Sequence, residues 1–142
     1  MDNDLTARCH AIEECYEFML AYAAQGIVHE AGSQSAAQLR VFLRNAEGAL
    51  VGLADAYKAA VTREGCEPAD KYFAFIDVLD GDARSALAAV QLVLAQPSIS
   101  SQLIDNLNAS IHVRALLTDL FLIDEVLKGQ TIARAAARGD SV

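Results

Sequence analysis

Apolar residues recur at steps of three and four along most of the chain, which is the spacing of one face of an α-helix. The clearest run lies near the N-terminus and consists of Leu5, Cys9, Ile12, Tyr16, Met19 and Ala23. Asp4 can cap this first helix and Gly26 can end it, so we predict it from about Asp4 to Gln25. A second apolar line widens the apolar sector to roughly half of the helix. That line consists of Ala11, Cys15, Phe18 and Tyr22.

The same spacing predicts a second and a third helix. The second begins at a capping Ser35 and runs to about Arg63, where Gly65 stops it. The third begins at Pro68, which suits a first helical turn, and runs to about Ala95. Both segments carry apolar residues on one side, so both are expected to pack against the core.

The sequence leaves structural alternatives open at two places, in the middle of the third helix and in the fourth helix. Residues 80–82 read Asp-Gly-Asp and predict either a kink or a break, because glycine costs about 1 kcal/mol inside a helix. The fourth helix begins after Ser98 or Ser100 and runs to about Lys128, with Gly129 behind it. It is apolar nearly all round, which is typical of a central helix or an interface helix.

These elements predict an all-α fold, an antiparallel four-helix bundle, because the connections are short and no stretch shows two-residue alternation. The bundle is expected over residues 1–130. Residues 131–142 are expected to form a loosely ordered tail in which a short fifth helix can form. The predicted core consists of Leu5, Ile12, Tyr16, Met19, Phe42, Leu53, Tyr57, Ile76, Leu79, Leu87, Val90, Leu117 and Leu120.

The charge and the amino-acid composition of the chain disfavour some classes of binding partner. The 142-residue chain has a net charge of −8, which disfavours binding to nucleic acid or to anionic lipid. Its longest charge-free stretch, residues 85–104, is interrupted by polar residues and a proline, and so predicts no membrane span. Three cysteines without a C-x-x-C pair indicate free, mostly buried thiols in the cytoplasm.

A row of small residues predicts the contact surface of an oligomer. Gly48, Gly52 and Ala56 recur at steps of four along the predicted second helix. Mid-helix glycines persist where they allow another helix backbone to approach closely. That other helix belongs either to the same chain or to a partner. Apolar residues make up 54 % of the chain, more than one four-helix core hides, which favours a homodimer or larger assembly and leaves room for another protein partner.

Two polar residues of the first helix suggest a metal site as the alternative function. His10 and Glu14 are four residues apart and share one face, so a nitrogen and a carboxylate oxygen project side by side. Iron or zinc is the metal that such ligands suit. The paired Glu-x-x-His signature of di-iron bundles is absent, and a polar strip on an amphipathic helix is the structural alternative.

Other candidate residues lie on the fourth helix. Asp105, His112 and Asp119 recur every seven residues and form either a solvent strip or a line from which His112 meets a carboxylate of another helix. Asn106 and Ser110 lie either within the apolar seam or, if the seam is offset, toward water. No motif indicates a reaction or a cofactor. The sequence therefore predicts a non-enzymatic helical-bundle protein that acts through homo-oligomerisation and protein–protein interaction.

Overall fold

The computed structural model describes residues 3–139, which are all-helical and include no strand. This part of the chain forms six helices: α1 (Asn3–Ala23), α2 (Gln34–Leu50), α3 (Leu53–Glu64), α4 (Ala69–Leu94), α5 (Ser101–Ala109) and α6 (Ile111–Ala137). The prediction of an all-α protein is confirmed. Six helices exceed the predicted four plus one, because two of the predicted helices are each divided in two.

The predicted second helix is divided at Gly52, which lies between α2 and α3 with a positive φ of 80°. Glycine adopts this conformation easily, whereas other residues rarely do. The carbonyl groups at the end of α2 are bonded by α1: Arg8 Nη1 donates to Ala49 O at 3.0 Å and also to Val51 O. The prediction of one continuous helix over residues 35–63 is therefore wrong. The turn that divides this segment is stabilised by Arg8, a side chain that is distant in the sequence.

The predicted fourth helix is divided at Ser110. The Ser110 backbone N–H donates to Leu107 O at 3.1 Å and ends α5. The Ser110 hydroxyl accepts from Val113 N at 3.3 Å and begins α6. A serine can cap a new helix as readily as it can sit within one, so the continuous fourth helix was a wrong prediction.

Serine caps also set two other helix starts. Ser33 Oγ accepts from Ala36 N at 3.1 Å, so α2 is capped by Ser33 and not by the predicted Ser35. Ser100 Oγ accepts from Leu103 N at 3.0 Å, which selects Ser100 from the two predicted caps of α5. Such caps satisfy backbone donors that the first helical turn leaves unpaired.

Helices α4 and α6 are each continuous through an internal glycine. α4 passes through Gly81 without a break, so the predicted interruption at residues 80–82 does not occur. α6 continues past Gly129, its predicted end, and residues 131–137 extend it instead of forming a separate fifth helix. Of the predicted loose tail, residues 140–142 lie outside the described residues.

The core lies between α1 and α4, which together contact every other helix. α1 packs against α2, α3 and α5, and α4 packs against α2, α3, α5 and α6. Ten of the thirteen predicted core residues are buried. The other three, Tyr16, Phe42 and Leu87, are partly buried and pack against the core. The periodicity therefore identified the inner faces of the helices, although it missed the breaks at Gly52 and Ser110 and the true end of α6.

An ion pair ties the α1–α2 connection to the α4–α5 connection. The Arg40 guanidinium donates to both Glu30 carboxylate oxygens, at 2.9 and 2.6 Å. It also donates to Leu94 O at 3.1 Å and to Gln96 O at 2.7 Å, and Glu30 accepts from the backbone N–H of Ile99. The hydrogen bond from Arg40 lowers the pKa of Glu30 below its ordinary value. One guanidinium thus joins two connections that lie far apart in the sequence.

A buried serine and tyrosine reinforce the same junction. Ser101 Oγ donates to Tyr22 O at 2.6 Å and accepts from Ile27 N at 2.8 Å. Tyr22 Oη donates to Ile99 O at 2.6 Å. Because these buried polar groups are paired, the end of α1 and the start of α5 stay together without an unsatisfied donor.

The thiols agree with the prediction made for them. Cys9, Cys15 and Cys66 are all buried and free. Burial, followed by the charge of Glu64, raises the pKa of Cys66. Across residues 3–139, none of the helices combines the length and the apolar character that crossing a bilayer requires.

Candidate interaction surface

Helix α6 is apolar on two opposite sides. One side fills the core with Val113, Leu116, Leu117, Leu120, Ile123 and Leu127. The opposite side, which we call the outer face of α6, carries Phe121, Leu122, Val126, Gly129, Ile132 and Ala133, all exposed. Four large apolar residues on it are 43–62 % exposed, which is high for a helix that already contributes a full core stripe. The outer face is therefore an apolar surface in addition to the core.

An apolar groove borders the outer face. It has a volume of about 240 Å³ and lies between the first turns of α4 and the middle of α6. Its walls are formed by Pro68, Tyr72, Phe75, Leu122, Ile123 and Val126, with Glu67 and Lys71 also lining it. Since Leu122 and Val126 belong to both features, the groove and the outer face form one continuous surface.

The C-terminal half of α6 is held against the rest of the chain. Arg134 Nη1 donates to Glu64 O at the end of α3, and Gln130 Oε1 accepts from Glu67 N at 3.4 Å. Leu127 is 2 % exposed. These contacts lie on the inner side, so the outer face is presented on an anchored helix.

The outer side of this anchored half of α6 carries several small residues. Gly129, Ala133 and Ala136 are exposed, and no atom lies within 4 Å of the position a Gly129 Cβ would take. This part of α6 is thus narrow, while the part that carries Phe121 and Leu122 is broad. A helix with that profile can receive a bulky helix on its narrow half.

The predicted small-residue face does not exist as one surface. Gly48 is exposed on α2, Gly52 lies in the turn between α2 and α3, and Ala56 is buried in α3. A Cβ at Gly52 would lie 3.7 Å from the Arg8 guanidinium. The premise that the three residues share one helix face is wrong, because the helix ends between them. A role for any of them at an interface stays a prediction without this geometric support.

The predicted metal ligands are adjacent but exposed. His10 Nε2 and Glu14 Oε1 are 2.7 Å apart, within hydrogen-bonding distance, and their side chains are 69 % and 47 % exposed. No group of three or more His, Cys, Asp and Glu residues within 3–139 is placed to hold a metal ion. Metal binding by this pair stays a prediction.

The metal hypothesis has a direct measurement. If His10 and Glu14 are ligands, protein expressed in metal-supplemented medium should carry close to one equivalent of zinc or iron by elemental analysis. Glu14→Gln should then lower the metal content at least about tenfold, because it removes one of few charged ligands. The matched control is Glu17→Gln on the same helix. Less than a tenth of an equivalent in the unaltered protein would remove the hypothesis.

The predicted line of Asp105, His112 and Asp119 is interrupted by the break at Ser110. Asp105 and His112 are exposed, whereas Asp119 is buried and interacts with Asp82 of α4. Burial, the hydrogen bond with Asp82 and the Asp82 charge together raise the pKa of Asp119 to about 7. His112 is exposed, so the alternative in which it meets a carboxylate of another helix is not supported, and Asp119 is the residue of this line that contacts another helix.

The polar residues predicted within the apolar seam of the fourth helix face outward or cap a helix. Asn106 is exposed and accepts from Gln102 Nε2 at 3.2 Å, while Ser110 is the cap of α6. The buried amide is Asn108 instead, whose side-chain nitrogen and oxygen have no hydrogen-bond partner among the described residues. The seam is therefore offset, as one of the two alternatives expected.

A buried polar chain links three helices near the core. Tyr57 Oη donates to Asp124 Oδ1 at 2.8 Å and lies 3.2 Å from Cys9 Sγ. Burial raises the pKa of Cys9 to about 11, and burial likewise raises the pKa of Tyr57. Both groups are protonated at neutral pH, so this chain suits hydrogen bonding between α1, α3 and α6 more than nucleophilic chemistry.

The residues that form the surface are therefore those of α6 and of the first turns of α4. Sequence periodicity indicated an apolar fourth helix, but the exposed side of that helix became visible only in the fold. Comparisons of this chain with protein-family models, with curated proteins and with solved structures gave no match.

Proposed function

We propose that this protein is non-enzymatic and acts by protein–protein association through the outer face of α6 and the adjoining groove. The observation that carries the proposal is the exposure of Phe121, Leu122, Val126 and Ile132 on a helix whose opposite side fills the core. Contiguous exposed apolar surface beside a groove is characteristic of protein interaction sites.

The chemistry of the titratable groups supports a binding role. The thiol of Cys9 is buried and protonated beside Tyr57, which leaves it a poor nucleophile. Asp82 and Asp119 interact between α4 and α6, and neither residue lines the groove next to the outer face. The polar groups with shifted pKa values thus serve the packing of helices, while the exposed surface is apolar.

The wider architecture fits a bundle of four segments. We propose that α1, α2–α3, α4 and α5–α6 act as the four segments of an antiparallel bundle, with bends at Gly52 and Ser110. The contacts of α1 and α4 support this arrangement, because each of these two helices packs against helices of both bent segments. Each segment of such a bundle needs one apolar stripe to fill the core. The outer face of α6 is apolar surface in addition to that stripe.

A cytoplasmic location is part of the proposal. Cys9, Cys15 and Cys66 are free and buried, and reducing compartments keep thiols in that state. The net charge of −8 supports protein partners over nucleic acid or anionic membranes.

Site-specific photo-crosslinking in cells tests the proposed surface. A photoreactive amino acid at Phe121, which is 62 % exposed, should form covalent adducts heavier than 15.2 kDa. The matched control is the same amino acid at Val41, which is 54 % exposed on α2 and should form few adducts. Adding Leu122→Glu should abolish adducts from position 121, because a charge is costly in an apolar contact. Equal adducts from both positions, or none from position 121, would refute the proposal.

A further inference from the structure

We infer that the outer face of α6 pairs with the outer face of α6 from a second copy of the chain, in an antiparallel two-fold arrangement. This inference rests on the proposed function and names the partner of the same surface. It follows from the distribution of side-chain size and charge along one helix.

Side-chain size is complementary only when the two helices run in opposite directions. The N-terminal half of the outer face carries Phe121 and Leu122, and the C-terminal half carries the small Gly129 and Ala133, with Ile132 as its one large residue. In a parallel pair the bulky residues would oppose one another, and the small residues would leave a gap. In an antiparallel pair each bulky half lies on the narrow half of the other copy, which is how closely packed helices fit together.

The register follows from the seven-residue repeat of the outer face. If the two-fold axis passes between Glu125 and Gly129, Leu122 lies opposite Ile132 of the second copy. In the same register Glu125 lies over Gly129 of the second copy, where no side chain obstructs it. Steps of three and four residues thus bring Leu122 and Ile132 together on each side of the axis and place Glu125 over Gly129 between them.

Charge supports the same arrangement. Glu125 and Lys128 are exposed on the outer side, one turn apart, and neither forms an ion pair with another described residue. In the antiparallel register each Glu125 lies beside Lys128 of the second copy, so symmetry creates two opposite-charge pairs. A parallel register would place like charges together, which disfavours association.

The outer face and the adjoining groove wall form one strip along α6. The outer face from Thr118 to Ala136 is about 27 Å long, at 1.5 Å for each residue. Because a two-fold contact uses the surface of both copies, each copy must contribute roughly 500 Å² to reach about 1,000 Å². The groove wall formed by Tyr72 and Phe75 extends the strip beside Leu122 and Val126.

A charge-swap experiment tests the register. Analytical ultracentrifugation of the full chain should give a species of twice 15.2 kDa at micromolar concentration. Glu125→Lys or Lys128→Glu alone should weaken dimerisation about tenfold, because two attractive pairs become repulsive. The double variant should recover the affinity of the unaltered protein to within about threefold. All these positions are exposed, and circular dichroism checks that each variant stays helical. A double variant as weak as either single variant would overturn the inference.

Disulfide trapping tests the direction of the helices. Leu122→Cys and Ile132→Cys proteins, mixed and oxidised, should form a cross-linked dimer, whereas Leu122→Cys alone should not. Efficient cross-linking of Leu122→Cys to itself would indicate parallel helices and overturn the inference. Sedimentation at 15.2 kDa throughout, together with adducts from position 121 to other proteins, would refute self-association and leave the proposed function standing. The absence of any adduct from position 121 would refute both.

Discussion

Replacing Arg40 with methionine is expected to lower the free energy of unfolding at pH 7 by about 3 kcal/mol. The change leaves the Glu30 carboxylate without its main partner and removes the donor from Leu94 O and Gln96 O. The Arg40 and Glu30 side chains are only 18 % exposed, so water restores little of what is lost. Urea unfolding followed by circular dichroism measures the difference.

Arg84 provides the matched control for this prediction. It pairs with Asp80 at 2.9 Å but is 79 % exposed, so Arg84→Met should change stability by less than about 0.5 kcal/mol. The pH dependence supplies a second check. Because the pKa of Glu30 is lowered, its contribution is complete above the ordinary value of 4.5 and is lost as the pH falls below it. The cost of Arg40→Met should therefore shrink in acid. Equal costs for Arg40→Met and Arg84→Met would contradict the ion pair's role.

Replacing Asp119 with asparagine is expected to raise the free energy of unfolding at pH 8 by about 2 kcal/mol. Burial and the neighbouring Asp82 raise the pKa of Asp119 from 3.8 to about 7, so the folded protein holds this proton more tightly than the unfolded chain. Stability from this group is complete below pH 3.8 and is lost as the pH rises through 7. An asparagine carries no charge and can donate to Asp82 at any pH.

The control for this prediction is Asp105→Asn, because Asp105 is exposed on α5. It should leave stability within about 0.5 kcal/mol at both pH 4 and pH 8. Asp119→Asn should have little effect at pH 4 and its full effect at pH 8, as measured by urea unfolding at each pH. An Asp119→Asn protein that is destabilised equally at pH 4 and pH 8 would show that the carboxylate pair is not the cause.

The two predictions concern residues that sequence patterns did not single out for these roles. Arg40 and Glu30 are ten residues apart, and the carbonyl groups that Arg40 also bonds lie more than fifty residues further along the chain. Asp119 lay on a predicted line with Asp105 and His112, but it is the member of that line that is buried and interacts with Asp82 of α4. Side-chain partners so distant in sequence have no local signal, because helical periodicity reports one face of one helix.

The sequence alone determined the all-helical class, the inner faces of the helices and the free, buried state of the cysteines. Steps of three and four residues identify a buried stripe because 3.6 residues complete a helical turn, and this holds whatever the neighbours are. Glycines just beyond the predicted helix ends at Gly26 and Gly65 adopt positive φ, as expected for helix terminators.

The tertiary structure decided where helices end in mid-pattern and which apolar side remains outside. Gly52 and Gly81 are both glycines within helical patterns, yet only Gly52 divides a helix, where the carbonyl groups released are bonded by Arg8 from α1. α6 has two apolar sides of similar character, and the core accepts one of them. The other becomes an exposed surface because a bundle of this size can cover only one stripe of each helix, which is a property of packing and not of any local sequence.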